Sequence, residues 1–202
     1  MGKRNLWALM VALFFWGGCA CAFAATPLRV GLYQNMPLLG YNTEGRAQGL
    51  FAELLEEVAR REGWELTYVS GSLEESLRRL EAGNLDLVPT VAYSPERAER
   101  FAFGEETVFA SWAQIVAPEG AGIETILDLD GKRVAVVKKN IHYDGPQGLL
   151  RTAERFALRL NFVECDDFPG VLRAVRDGQA DAGLLGRLEG LAGDDLAHLR
   201  KT

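Results

Sequence analysis

Histidine and cysteine are scarce in this chain. Its 202 residues include two histidines and three cysteines, and Cys19 and Cys21 fall in an apolar N-terminal stretch, which leaves Cys165 alone in the remainder. A single cysteine forms no internal disulfide even in an oxidising compartment. His142 and His198 without a cysteine pair are too few ligands for zinc, so neither a metal nor a cofactor is expected. No serine or cysteine stands in an arrangement with either histidine that suggests a nucleophile and its base, and no catalytic residue is assigned. Excess positive charge is also lacking. A formal charge of −6 gives the chain no reason to seek nucleic acid or anionic lipid. What remains is an ordinary globular composition, 48% hydrophobic and 25% charged, with length for one domain or two small lobes.

The long apolar run is confined to the start. A basic Met1-Gly2-Lys3-Arg4 precedes unbroken apolar residues 6–16, and Ala22-Phe23-Ala24 supplies small residues for a signal peptidase, so residues 1–24 read as a secretory signal. An uncleaved anchor over residues 6–25 is the alternative, being about long enough to span a bilayer; the Gly17-Gly18 break and the Ala-Phe-Ala site favour cleavage. A lipoprotein reading through Cys19 lacks an aliphatic residue three positions earlier. Cleavage removes Lys3 and Arg4 and no acid, taking the charge from −6 to −8.

From Thr26 onward short apolar runs alternate with helical spacing. Residues 28–33 read as a buried strand and 34–45 as a loop with Pro37, Gly40, Asn42 and Gly45. Leu50, Leu54, Leu55, Val58 and Ala59 define a helix closed by Gly63, residues 64–69 a strand, Leu73, Leu77 and Leu80 a helix capped by Ser72, and residues 85–88 a third strand. Residues 108–116 are strand-like, and Pro118, Gly120 and Gly122 offer a lobe boundary. The pattern restarts with a turn at 127–131, strands at 133–137, 160–163 and 180–185, and helices at 148–158 and 171–176. The expected organisation is residues 1–24 signal, 25–115 lobe one, 116–190 lobe two and 191–202 tail. It is an α/β chain of two doubly wound lobes around a cleft, repeating a theme without obvious sequence identity between lobes.

One stretch concentrates the chemistry. After the apolar run that follows Asp86, Ser94-Pro95-Glu96-Arg97 combines an N-cap, a first-turn proline and a first-turn acid, and sets Arg97 just beyond a strand's carboxyl end, where open α/β sheets bind ligands. A guanidinium there can present a planar fork to a carboxylate. Tyr33 ends the first strand towards the cleft, a position that also suits core packing. Asn140 and His142 stand at the start of a second-lobe helix. Trp112 either lines the cleft beside the hinge or packs a lobe edge.

This stretch, with Leu28-Arg29-Val30-Gly31, Ala82-Gly83-Asn84-Leu85-Asp86-Leu87, Leu127-Asp128-Leu129-Asp130-Gly131-Lys132 and Asp177-Gly178-Gln179-Ala180-Asp181-Ala182, resembles family 3 periplasmic solute-binding proteins from about Leu28 to Leu185. Glu62-Gly63-Trp64-Glu65-Leu66 and the residues leading to Arg97 resemble most the branch forming sensor regions of bacterial histidine kinases and diguanylate cyclases. The resemblance implies a type II periplasmic binding fold and a non-catalytic binding protein for a small carboxylate or amino-acid-like ligand. Such a protein serves an ABC permease as transport receptor, or a membrane histidine kinase or diguanylate cyclase as sensory input. It places Arg97 on the ligand carboxylate, with Thr90 beside it. A cyclohexadienyl dehydratase-like lyase on the same fold is the rival reading. Three departures stand out. No aromatic residue is in register before Pro37, the carboxylate-holding loop of the second lobe becomes Lys139-Asn140-Ile141, and the acid that pairs with an amino-acid ammonium falls on Gly186. The family's fold also continues beyond the strand at 180–185, so the resemblance implies a chain incomplete at its C-terminus.

Overall fold

Two separate sheets, a parallel pair and a mixed five-stranded sheet, each with its helices, border one cleft in this computed structural model, which describes residues 25–188 and 199–201. The secretory signal expected at residues 1–24, Cys19, Cys21, His198 and most of the expected tail lie outside the described residues. Among the described residues no helix is long and apolar enough to cross a membrane.

In the first lobe β1 (Thr26–Leu32) pairs in parallel with β4 (Trp64–Ser70), Val30 opposite Tyr68. Between them run a short hairpin of β2 (Gly40–Tyr41) and β3 (Ala47–Gln48) and helix α1 (Leu50–Glu62), closed by Gly63 in the left-handed region at φ 68°. The inward stripe of α1 centres on Ala52 and Ala59, so Leu50 and Leu54, expected on that face, are exposed. Helix α2 (Leu73–Glu81) starts as expected at Ser72, whose hydroxyl accepts from the Glu75 N–H while the Glu75 carboxylate accepts from the Ser72 N–H. Gly31 allows α2 to come close: a Cβ there would lie 3.0 Å from Leu85 and Val88 side-chain carbons and 3.2 Å from the Ser76 Cβ. The third strand expected at 85–88 reduces to one bridge between Val30 and Leu87. Pro89 cannot donate to a ladder and Thr90 turns left-handed at φ 64°, so the pairing stops there.

The short helix α3 (Pro95–Ala98) follows, with Ser94 as N-cap accepting from the Arg97 N–H. Its brevity leaves residues 99–112 without strand or longer helix, so the strand expected from residue 108 begins only at Ala113. This strand, β5 (Ala113–Pro118), runs antiparallel to β8 (Ala182–Gly186). By its hydrogen bonds the chain has thus entered the second sheet at Ala113, and the Pro118-to-Gly122 turn belongs to that sheet.

The second sheet has the order β7-β6-β8-β5-β9, built from β6 (Arg133–Val137), β7 (Asn161–Cys165), β8, β5 and β9 (Leu199–Lys201). β6, β7 and β8 are parallel, and β9 lies antiparallel on β5, a strand the sequence pattern did not suggest. Helices α4 (Ile141–Asp144), α5 (Leu149–Arg155) and α6 (Phe168–Arg176) connect them. Phe168, Val171, Leu172 and Val175 of α6 bury against Val116, Ala135, Val137 and Leu185 on one face, while Leu129, Val134, Val136, Leu149 and Leu184 fill the other. Continuous apolar strands such as Arg133-Val-Ala-Val-Val137 follow from having both faces covered.

The same clamp occurs three times, once in the middle of β1 and twice at the amino ends of strands. Arg29 donates its backbone N–H and Nε to Asp86 Oδ2 and its Nη2 to Oδ1. Arg133 does the same to Asp181, and Arg159 closes on Asp130 with the same three groups. Bidentate arginine pairing of this kind holds the Asp86 and Asp130 carboxyls down to about 2.

Candidate functional site

The carboxyl ends of β1 and β6 point towards a cleft of about 1400 Å³ between the lobes. Tyr33, Thr90, Arg97, Asn140 and His142 all line it; Trp112 does not. Trp112 is 54% exposed and carries the Arg187 guanidinium 4.6 Å from its ring centre, while the Arg187 N–H donates to Ser111 Oγ. Its place is a rim stack of cation on indole, with the cleft-lining alternative not met in this structure.

Arg97 joins the two walls. Nη1 donates to the Ala92 carbonyl at 2.9 Å within the first lobe, and Nη2 donates to the Lys139 carbonyl at 2.6 Å across the cleft. Burial pulls the guanidinium's pKa down, and the field of Asp144, with Tyr33 and Glu96, opposes this; arginine remains charged throughout. Tyr33 sits behind it. Thr90 Oγ1 donates to the Pro89 carbonyl at 2.7 Å, so the 2.5 Å contact between the two hydroxyls has Tyr33 as donor and Thr90 as acceptor. A left-handed threonine costs energy; here it directs the Thr90 hydroxyl onto the tyrosine.

On the second-lobe side Lys139 is also left-handed, at φ 57°, which carries its carbonyl to Arg97. Asn140 caps α4, its Oδ1 accepting from the His142 N–H at 2.9 Å. The His142 imidazole is pushed down first by burial and then by the charge on Arg97, which favours its neutral form. Lys138 is held by Asp166 at 2.9 Å and Arg100 by Glu81, so these cations have acid partners other than a ligand.

Sequence reasoning missed Asn35. It is 5% exposed, lines the cleft, and its Oδ1 has no partner among the described residues. Its signal was the Asn-Met-Pro sequence itself, a polar residue set beside a proline turn after an apolar strand. The far wall is apolar, with Leu73, Leu77 and Leu80 of α2 facing Phe101, Phe103 and Phe109. No group of three or more histidine, cysteine or acidic residues suited to a metal occurs among the described residues. Chemically the arrangement offers one desolvated guanidinium, two hydroxyls, an amide and a neutral imidazole: a set suited to hold a small anion rather than to transform it.

Residues 28–143 match the model for bacterial extracellular solute-binding proteins, family 3. The chain is 27% identical over 165 residues to the probable amino-acid-binding protein YxeM of Bacillus subtilis (strain 168), covering 77% of this chain and 57% of that protein. It is 27% identical over 170 residues to the putative amino-acid ABC transporter-binding protein PatH of Vibrio harveyi, covering 83% of this chain and 65% of that one. The chain thus spans less than two thirds of the length of either. Among solved structures, an ancestral arginine-binding protein bound to arginine superposes with a TM-score of 0.77 at 20% identity, covering 89% of this chain and 79% of the other. That likeness establishes the type II periplasmic binding fold.

Proposed function

The chain belongs to the bacterial extracellular solute-binding proteins, family 3, and from that premise we propose that its cleft binds a small carboxylate or amino-acid-like ligand without chemical change. The observation that carries the reading is Arg97, a half-buried guanidinium at the carboxyl end of the first-lobe segment with the second lobe's turn within hydrogen-bond reach. A ligand carboxylate replaces the Lys139 carbonyl on the fork, with the Tyr33–Thr90 hydroxyl pair and Asn140 beside it. Tyr33, Thr90, Arg97, Asn140 and His142 form the site, and Trp112 acts at its rim.

The protein works outside the cytoplasm, in the periplasm after removal of residues 1–24. It delivers ligand to an ABC permease; the resemblance around Glu62 to Leu66 supports input to a membrane histidine kinase or diguanylate cyclase as the second reading. Isothermal titration of the wild type and Arg97→Ala with small carboxylates tests the site. Loss of the charged fork removes about 3 kcal/mol, roughly two decades of affinity. Micromolar binding of a carboxylate that survives Arg97→Ala sinks the assignment, and loss of the ligand's carboxylate on incubation sinks the non-catalytic reading in favour of a lyase.

A further inference from the structure

The turn that follows β1 is fixed by its backbone. The Asn35 N–H donates to the Leu39 carbonyl at 2.8 Å, and the Asn35 carbonyl accepts from the Leu38 and Leu39 N–H groups at 2.9 and 3.0 Å. The start of α1 bolts the turn in place: the Leu50 N–H donates to the Pro37 carbonyl and the Phe51 N–H to that of Leu38. Gly49 permits so close a seat, since at φ 103° a Cβ there would lie 2.9 Å from both of those carbonyl oxygens. With its two backbone groups bonded, Asn35 keeps only its carboxamide uncommitted, and neither Oδ1 nor Nδ2 has a hydrogen bond among the described residues.

Three buried side-chain polar atoms among the described residues lack a partner, Asn35 Oδ1, Tyr68 OH and Ser76 Oγ, and of these residues only Asn35 lines the cleft. At 5% exposure it is not a solvated surface amide. Its neighbours in the cleft are engaged: Tyr33 with Thr90, Asn140 with the His142 N–H, and Arg97 with two carbonyls. A buried polar group without a partner is rare and calls for an explanation; a ligand in the cleft supplies one. The geometry points to Asn35 as a specificity-determining residue, pairing its carboxamide with a hydroxyl carried on the chain of the ligand carboxylate. A hydroxyl both donates and accepts, so it answers an amide whichever end is turned to the cleft, and the asparagine χ2 allows either. An ammonium would need a counter-charge that a neutral amide cannot give, and an unsubstituted chain would leave the amide unmatched.

Calorimetry of the full chain with pentanoate, 2-hydroxypentanoate and 3-hydroxypentanoate tests this. Wild-type protein is expected to prefer one of the hydroxy acids over pentanoate by about tenfold, and Asn35→Ala to bring that ratio close to one. Equal affinity for all three acids in the wild type, or a preference that survives Asn35→Ala, overturns the inference. It rests on the carboxylate reading of Arg97, and Arg97→Ala separates the two failures: binding of all three acids that survives this change sinks the carboxylate reading alone, with the hydroxyl preference still reporting on Asn35. Thermal melting of the unliganded chain gives a reading that needs no ligand. Asn35→Ala keeps the backbone bonds of the turn and loses an unmatched carboxamide, so it is expected to melt at or above the wild-type temperature. A lower melting temperature overturns the inference, because it means that the carboxamide is matched within the protein.

Discussion

Ser76→Ala is expected to make the protein more stable. Ser76 lies in the middle of α2, is fully buried, and its hydroxyl has no hydrogen-bond partner among the described residues. Leaving a buried hydroxyl unmatched costs about 1–3 kcal/mol. Alanine is also the better helix former, by roughly 0.5 kcal/mol. Against this stands the space of one oxygen, which costs a few tenths of a kcal/mol at about 24 cal/mol per Å³ of cavity. The net expectation is a gain of about 1–2 kcal/mol, a rise in Tm of roughly 2–8 °C for a chain of this size. Urea unfolding followed by circular dichroism measures it, with an unchanged m-value as the check on two-state behaviour. Ser76→Val is the contrasting substitution. The Ser76 Cβ already lies 3.2 Å from where a Gly31 Cβ would be, so added methyls overpack the contact and destabilise. Destabilisation by 1 kcal/mol or more in Ser76→Ala refutes the reasoning, since it means that the hydroxyl is matched and worth keeping.

The Arg29–Asp86 and Arg159–Asp130 clamps hold folded-state carboxyl pKa values at about 2, below the unfolded value of roughly 3.9. Their stabilisation is therefore complete above about pH 4 and fades as pH falls towards 2, and Asp86→Asn should flatten the urea midpoint's pH profile in that window. Gly31→Ala should destabilise by about 1–3 kcal/mol, because the new Cβ meets Leu85 and Val88 at 3.0 Å; thermal melting reads it, and an unchanged Tm would count against so close an approach. Gly186 leaves an α-ammonium without the acid that the family resemblance would put there, so glutaramate should bind tighter than glutamine by about two to three decades in paired titrations. Equal affinities would show that another acid serves the amine. Tyr33→Phe removes the donor to Thr90 Oγ1 and should weaken carboxylate binding about threefold to tenfold by calorimetry, with the fold intact.

The readable parts of the chain were those in which a local signal and a burial pattern agreed. Ser72 and Glu75 announce α2 together, and Val134 to Val137 announce a strand covered on both faces. The place of Arg97 on a short helix at the cleft was legible because the Ser-Pro-Glu helix start is a strong local signal. The strand at 85–88 was misread because its apolar residues are real but its pairing is cut by Pro89 and a left-handed Thr90, a backbone state that composition does not reveal. β9 carries three residues, two of them basic, and owes its place to β5 rather than to its own pattern. Leu50 and Leu54 kept the right spacing, yet the stripe facing inward was the one centred on Ala52 and Ala59. Trp112 was left open in the sequence, and its cation partner Arg187 is 75 residues away, beyond any local pattern.

Two of the three arginine–aspartate clamps, Arg133–Asp181 and Arg159–Asp130, sit at the amino ends of strands, the third holds the middle of β1, and the ligand-facing turns leave from the carboxyl ends. Each lobe is thus pinned at its base and left to vary at its mouth. Substitutions in the turns at 35–38, 89–92 and 138–142 can rewrite what the cleft selects without unseating a strand, while a change at Asp130 or Asp181, neither of which lines the cleft, disturbs the frame. In a scaffold divided in this way new specificities are open to single mutations at the mouth, and selection on the base is for holding still.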